Sequence, residues 1–180
     1  MEDSLRDLVN EAKAYSDGVA NRIAKYTREF ILSPECITNN EFILSSLTWD
    51  SISYASEQEI DKIPDNKRGV YAFSICHPST ILPPHGYVLY IGIAGRDSKR
   101  SLRERYKDYL QNSHIRKRPK IYFMIGTWSE VLRFFFAPVE ENVSSNELKT
   151  LEKQLNTMLL PPLSQMDLVA EIKEMRRAFT

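Results

Sequence analysis

Glu152 stands where a carboxylate is expensive. The apolar residues Leu148, Leu151, Leu155, Met158 and Leu159 recur at helical spacing, and Glu152 falls inside their stripe, four residues after Leu148 and three before Leu155. A carboxylate turned inward needs a cation to meet it, and the pattern leaves two candidates open, a metal ion or a buried arginine. Cations are concentrated in one stretch. Between Arg96 and Lys120 the chain carries Arg96, Lys99, Arg100, Arg103, Arg105, Lys107, Arg116, Lys117, Arg118 and Lys120 against Asp97, Glu104 and Asp108. Acidic residues collect in 57–65 and 140–147, so a formal net charge of zero can hide a basic face suited to a polyanion. The alternative is an ordinary solvated helix and loop.

Other ligand types give less. His77, His85 and His114 are scattered over loops and make no zinc pattern, although His77 follows directly on an apolar run and is retained as a supporting candidate. Cys36 and Cys76 lack metal-ligand spacing and read as reduced, packed thiols. At 180 residues the chain can bury a real core as one domain with an appendage. No apolar run reaches the roughly 20 residues that span a bilayer, and the N-terminus has no signal-peptide pattern, so a cytoplasmic protein without a membrane partner is expected.

The elements that must position these residues follow from periodicity and punctuation. Residues 3–32 carry a helical pattern, through Ala12, Val19, Ile23 and Tyr26, that Gly18 is placed to break in two. The stretch 39–56, with Trp49, Ile52 and Tyr54, reads as a strand or an extended arm. Val70 to Ile75 and Tyr87 to Ile93 are runs of β-branched and aromatic residues joined by a Pro-rich connection, a hairpin with a long loop. A helix is predicted from Asp97 or Ser98 to Gln111, strands at Lys120–Trp128 and Leu132–Val139, and a helix opened by the capping box Ser144-x-x-Glu147 and stopped by Pro161 and Pro162. A last helix is predicted over 165–179. The fold class is α+β, a small, mostly antiparallel sheet of three or four strands flanked by helices, with an N-terminal helical extension. The division is an accessory region at 1–66, a core domain at 67–168, and a C-terminal helix packed on it at 169–180.

Gly69-Val70-Tyr71 on the first hairpin strand and Tyr90-Ile91-Gly92 on the second, followed by Arg105 in LRERYKDYL and Glu152 in LEKQLNTMLLPPLS, resemble the ordered motifs of the GIY-YIG nuclease family. Pro161 falls where the family has its proline. Ser164 takes the place of the family's asparagine, and the connection between the two triplets is longer than the family's tight hairpin. The resemblance covers about 69–164.

It implies a metal-dependent DNA endonuclease of restriction, repair or mobile DNA, with a catalytically inactive binding or interaction module of the same fold as the alternative. Carried over residue by residue, Glu152 binds Mg²⁺ or Mn²⁺, completed by waters and the substrate phosphate. Tyr71 activates water, although a phenol with a pKa near ~10 needs a neighbouring cation or an onward proton route. Tyr90 supports the geometry. Arg105 clamps phosphate, because a guanidinium offers a planar fork and keeps its charge; helical geometry alone would also admit Arg103. Arg96, Arg103, Arg116, Lys117 and Arg118 are candidate DNA contacts, and His77, Gly92 and Ser164 candidate supports. Breaking both strands with one site per chain commonly takes a homodimer.

Overall fold

The computed structural model describes residues 2–38, 41–76 and 85–164. His77, the Pro-rich connection around Pro83 and the C-terminal helix expected at 165–179 lie outside them. Among the described residues the elements are α1 (Glu2–Tyr26), α2 (Pro34–Thr38), β1 (Asp50–Ser53), β2 (Gly69–Cys76), β3 (Gly86–Ala94), α3 (Leu102–Lys107), α4 (Asn112–Ile115), α5 (Pro119–Trp128), β4 (Leu132–Pro138) and α6 (Ser145–Leu159). Short 3₁₀ turns occupy Ile60–Lys62 and Asp108–Leu110.

The four strands form one antiparallel sheet in the order β1-β4-β2-β3, so the architecture is α+β with helices flanking an antiparallel sheet. β2 is central and buried along Gly69–Ser74, which explains why it reads as a continuous apolar run and not as an alternation. Its odd residues Tyr71 and Phe73 join Phe134, Tyr106, Tyr109 and Met124 in one core layer. Its even residues Val70 and Ala72 join Ile91, Ile93, Leu148 and Leu151 in the other. The side-chain period of two sorts the strand's residues onto opposite faces.

Three expectations are corrected. Lys120–Trp128 is not a strand: Pro119 opens helix α5 at its first turn, and the buried residues Ile121, Met124 and Trp128 fall at i, i+3 and i+7. Its aromatic and β-branched composition fits either element, and burial of one helical stripe decides. The helix expected from Asp97 begins later, at Leu102, where Ser101 and Glu104 close a reciprocal capping box. Residues 96–100 stay in an exposed loop, and Gly95 turns the chain into it at φ +84°, a conformation that favours glycine. Gly18 does not break α1, which runs through it.

The accessory region is partly absorbed into the domain. β1 pairs with β4, Ile52 opposite Phe134, and Ile52 and Ile63 are fully buried. α1 behaves otherwise: Ile23 and Tyr26 are 60% and 55% exposed, so the apolar period is present without a buried face beneath them. What ties its far end down is Arg28, whose guanidinium stacks 4.5 Å from the Phe123 ring centre and 4.8 Å from that of Trp128. No helix among the described residues is long and apolar enough to cross a membrane.

Candidate active site

Tyr71 is held at the centre of the sheet. Its ring lies across Gly92, its partner on β3. A Cβ at Gly92 would stand 2.5 Å from the Tyr71 hydroxyl and 2.6 Å from Cζ, so the missing side chain of one motif glycine is the space filled by the other motif's tyrosine. Tyr90, half-buried two residues earlier on the same face of β3, has its ring centre 6.3 Å from that of Tyr71.

α3 brings Arg105 over this pair. Its Nε donates to the Tyr71 hydroxyl at 3.1 Å, and its Nη1 donates to Asp108 Oδ2 at 3.2 Å. The Tyr71 and Tyr109 hydroxyls share a proton-bearing contact of 2.7 Å. Asp108 is almost fully buried and also accepts from Arg100 Nη2 at 2.7 Å, while His114 Nδ1 lies 3.1 Å from Oδ1. Glu152, 4% exposed on the inward face of α6, forms an ion pair with Arg96 from the loop after β3. Of the two cations the sequence left open for Glu152, an arginine is thus present, and it stands on a wall of the site.

These residues surround one cavity of about 930 Å³. Tyr71, Tyr90, Arg105 and Glu152 all line it, together with Arg96, Arg100, Lys117, Arg118 and Lys120. Six cationic side chains and two carboxylates, Asp97 and Glu152, line it, and Arg100 and Arg105 also pair with Asp108, so the wall carries an excess of positive charge. Arg118 also places its guanidinium 5.6 Å from the Tyr109 ring centre. Tyr71 borders the cavity floor while exposing none of its own surface.

Burial shapes the phenols. It pushes the Tyr71 hydroxyl well above the ordinary phenol value, Tyr109 adds to the rise, and the Arg105 charge opposes it. Tyr90 is raised first by the neighbouring Tyr71 and then by burial. Tyr109 is raised by burial and by Tyr90, against Arg105. Burial works against the charge of Arg105, but Tyr71 and Tyr109 more than compensate and hold it protonated. The resting site therefore contains a cluster of neutral phenols around one fixed cation.

The donor set decides which metal fits. Among the described residues no group of three or more His, Cys, Asp and Glu gathers to hold an ion, so a closed protein cage of the zinc or calcium kind is not built here. One buried carboxylate on the wall of an open cavity does suit Mg²⁺ or Mn²⁺, which are commonly held by one or two carboxylates, waters and substrate phosphates.

Several predicted site residues stand elsewhere. Arg103 is turned away from the cavity: Nε and Nη2 donate to the carbonyls of Ile63 and Asp61, and Nη1 pairs with Asp61 and Asp65. It staples the turn before β2 to α3. Arg116 opens into a neighbouring groove beside Lys25. Ser164 is buried and accepts from the Ile91 amide at 2.9 Å, pinning the chain after α6 to the strand between Tyr90 and Gly92, while the adjacent Leu163 reaches the cavity. The role of Gly92 is spatial.

Sequence reasoning missed Tyr109 and Asp108 as site residues. The signal for Tyr109 was its position four residues after Arg105, one turn along the same helical face. For Asp108 it was an acid set within a basic run. No family model, no curated protein and no solved structure matches this chain.

Proposed function

We propose that the chain is a metal-dependent endonuclease of the GIY-YIG type that hydrolyses phosphodiester bonds in DNA. The observation that carries this reading is the convergence of a buried carboxylate, two strand phenols and a helical guanidinium, from four separate elements, on one cationic cavity.

Arg105 orients the substrate phosphate. Its Nε is committed to Tyr71 and its Nη1 to Asp108, so the guanidinium is fixed before substrate arrives and little ordering is left to do. Lys117, Arg118 and Lys120 add charge along the opposite wall. Glu152 would hold the divalent ion, which when bound supplies Lewis-acid stabilisation to the phosphoryl and leaving oxygens. Arg96, now on Glu152, gains an alternative anionic partner when a phosphate enters.

Tyr71 is neutral at rest, so a proton taken from water at its Oη must be matched by one leaving. The Tyr71 proton passes to the Tyr109 hydroxyl at 2.7 Å, Tyr109 gives its own to its hydrogen-bond partner Tyr90 on the cavity wall, and Tyr90 releases one to solvent in the cavity, while the Arg105 Nε bond favours the transient Tyr71 phenolate.

The test is cleavage of plasmid and single-stranded DNA with and without Mg²⁺ or Mn²⁺, wild type against Glu152→Ala. Loss of roughly 10²-fold or more in the metal-dependent rate is expected, since such charge stabilisation amounts to several kcal/mol. An unchanged rate would remove the metal assignment. The Arg96–Glu152 ion pair and Ser164 in the asparagine position favour a second reading, a non-catalytic nucleic-acid-binding module. Salt-dependent DNA binding with no metal-dependent product would select it.

A further inference from the structure

A second hollow of about 470 Å³ opens beside the cavity, between the end of α1 and α5, and its lining includes Lys25, Arg116, Pro119, Tyr122 and Phe123. Pro119 lines both hollows. The four residues 116–119 therefore form the ridge that divides them: Lys117 and Arg118 face the cavity, Arg116 faces the outer groove, and Pro119 borders each. The charge keeps its sign across the ridge, since no carboxylate lines the outer groove among the described residues.

Two aromatic rings stand in this groove where the outer face of a helix would ordinarily be polar. Tyr122 is 46% and Phe123 38% exposed. The Phe123 ring is already held by the Arg28 guanidinium 4.5 Å from its centre, so stacking a planar group against this surface costs little further side-chain entropy. Exposed aromatic rings flanked by cations, with no acid among them, are the surface chemistry that receives a single nucleic-acid strand, bases on the rings and phosphates on the cations. An apolar protein helix would leave Lys25 and Arg116 to be desolvated without partners.

We infer that the outer groove is a binding site for an unpaired nucleotide next to the one held in the cavity. The strand crosses Pro119, a base stacks on Tyr122 and Phe123, and flanking phosphates meet Lys25 and Arg116. The inference rests on the nuclease reading for the identity of the strand, and it narrows the substrate to DNA with unpaired bases beside the scissile phosphate, such as a flap, a gap or a splayed end.

The experiment is binding of the full chain to a flap DNA and to a blunt duplex of equal length, read by fluorescence anisotropy in EDTA. Tyr122→Ala should weaken flap binding by about fivefold or more, as expected for loss of one stacked base, and leave duplex binding within about twofold. The double variant Lys25→Ala with Arg116→Ala should lower the salt dependence of flap binding by about 1.4 in the log–log slope, two phosphates at ~0.7 each. Equal losses on both DNAs, no loss on either, or a change of self-association in Tyr122→Ala with DNA affinity intact would overturn the groove. A chain that binds flap DNA as described yet never cleaves it keeps the groove and loses the nuclease reading. One that cleaves, while Tyr122→Ala binds the flap normally, loses the groove alone.

Discussion

The two faces of the sheet are built from different materials. One side packs Tyr71, Phe73, Phe134, Tyr106 and Tyr109, rings in mutual contact with hydroxyls that must each find a partner. On the other side β2 and β3 present Val70, Ala72, Ile91 and Ile93 to the aliphatic stripe of α6. The aliphatic face is satisfied by volume alone. The aromatic face carries a hydrogen-bond obligation at every phenol, and those obligations are met by one another, by Arg105 and by backbone: the Tyr54 hydroxyl reaches the Tyr109 carbonyl at 2.7 Å and that of Tyr106 accepts from the Ala55 amide at 2.8 Å. Burial of this kind pushes the Tyr54 hydroxyl up to about 12. The polar chemistry is thus concentrated on the face where the core is already polar at its edge, and on the aliphatic side α6 buries Glu152 and Asn156 among its leucines.

If that division of labour holds, the faces can be broken separately. The largest loss of stability should come from the aliphatic face. Leu148, on the inward face of α6, is fully buried, and Leu148→Ala should cost about 2–5 kcal/mol through lost transfer energy and an unfilled cavity. Urea unfolding measures it, and folded protein below the transition should keep the proposed DNA affinity. A loss of affinity in step with stability would show that the faces are not independent. Gly92→Ala attacks the aromatic face at its tightest point. The new methyl meets a ring that is wholly buried and flanked by Phe134, so it cannot swing aside. A cost of about 1–3 kcal/mol is expected from overpacking, together with loss of the proposed activity as Tyr71 is displaced. Wild-type stability in the alanine variant would mean that Tyr71 has somewhere else to go.

The aliphatic face was also the easier one to read. The stripe of α6 and its capping box are local patterns, and Ser144 with Glu147 forms the box that the spacing indicates. The hairpin strands are legible for the same reason, as runs bounded by glycine. α5 was misread because nine residues rich in aromatic and β-branched types carry both periods, and only the sheet beneath them selects one. Gly92 was legible as a glycine that permits close approach, but which atom approaches is a cross-strand fact absent from any local window. Arg103 and Arg105 could not be separated by sequence. Two positions apart on a helix, they face different neighbours, Arg103 the carbonyls of the preceding turn and Arg105 the phenols.

The smallest effect tests the polar edge of the aromatic face by pH. Burial pushes the Asp108 carboxyl up, but hydrogen bonding and charge from Arg100, then His114 and Arg105, outweigh it and hold the group below its ordinary value of 3.8. A carboxyl lowered on folding contributes stability that is present above the unfolded value and is lost as pH falls through the folded one. The unfolding free energy of the wild type should therefore decline below about pH 4, and Asp108→Asn should lack that share of the slope. Glu59 and Glu147 are also held low and contribute acid dependence to both proteins, so the difference between the two curves is the quantity to read. At neutral pH the substitution should cost about 1 kcal/mol, the usual worth of a charged hydrogen bond discounted for the solvent exposure of Arg100 and His114. Parallel curves through the acid range would mean that Arg100, Arg105 and His114 are held in place without the Asp108 charge, and Arg105 would then owe its position to Tyr71 alone.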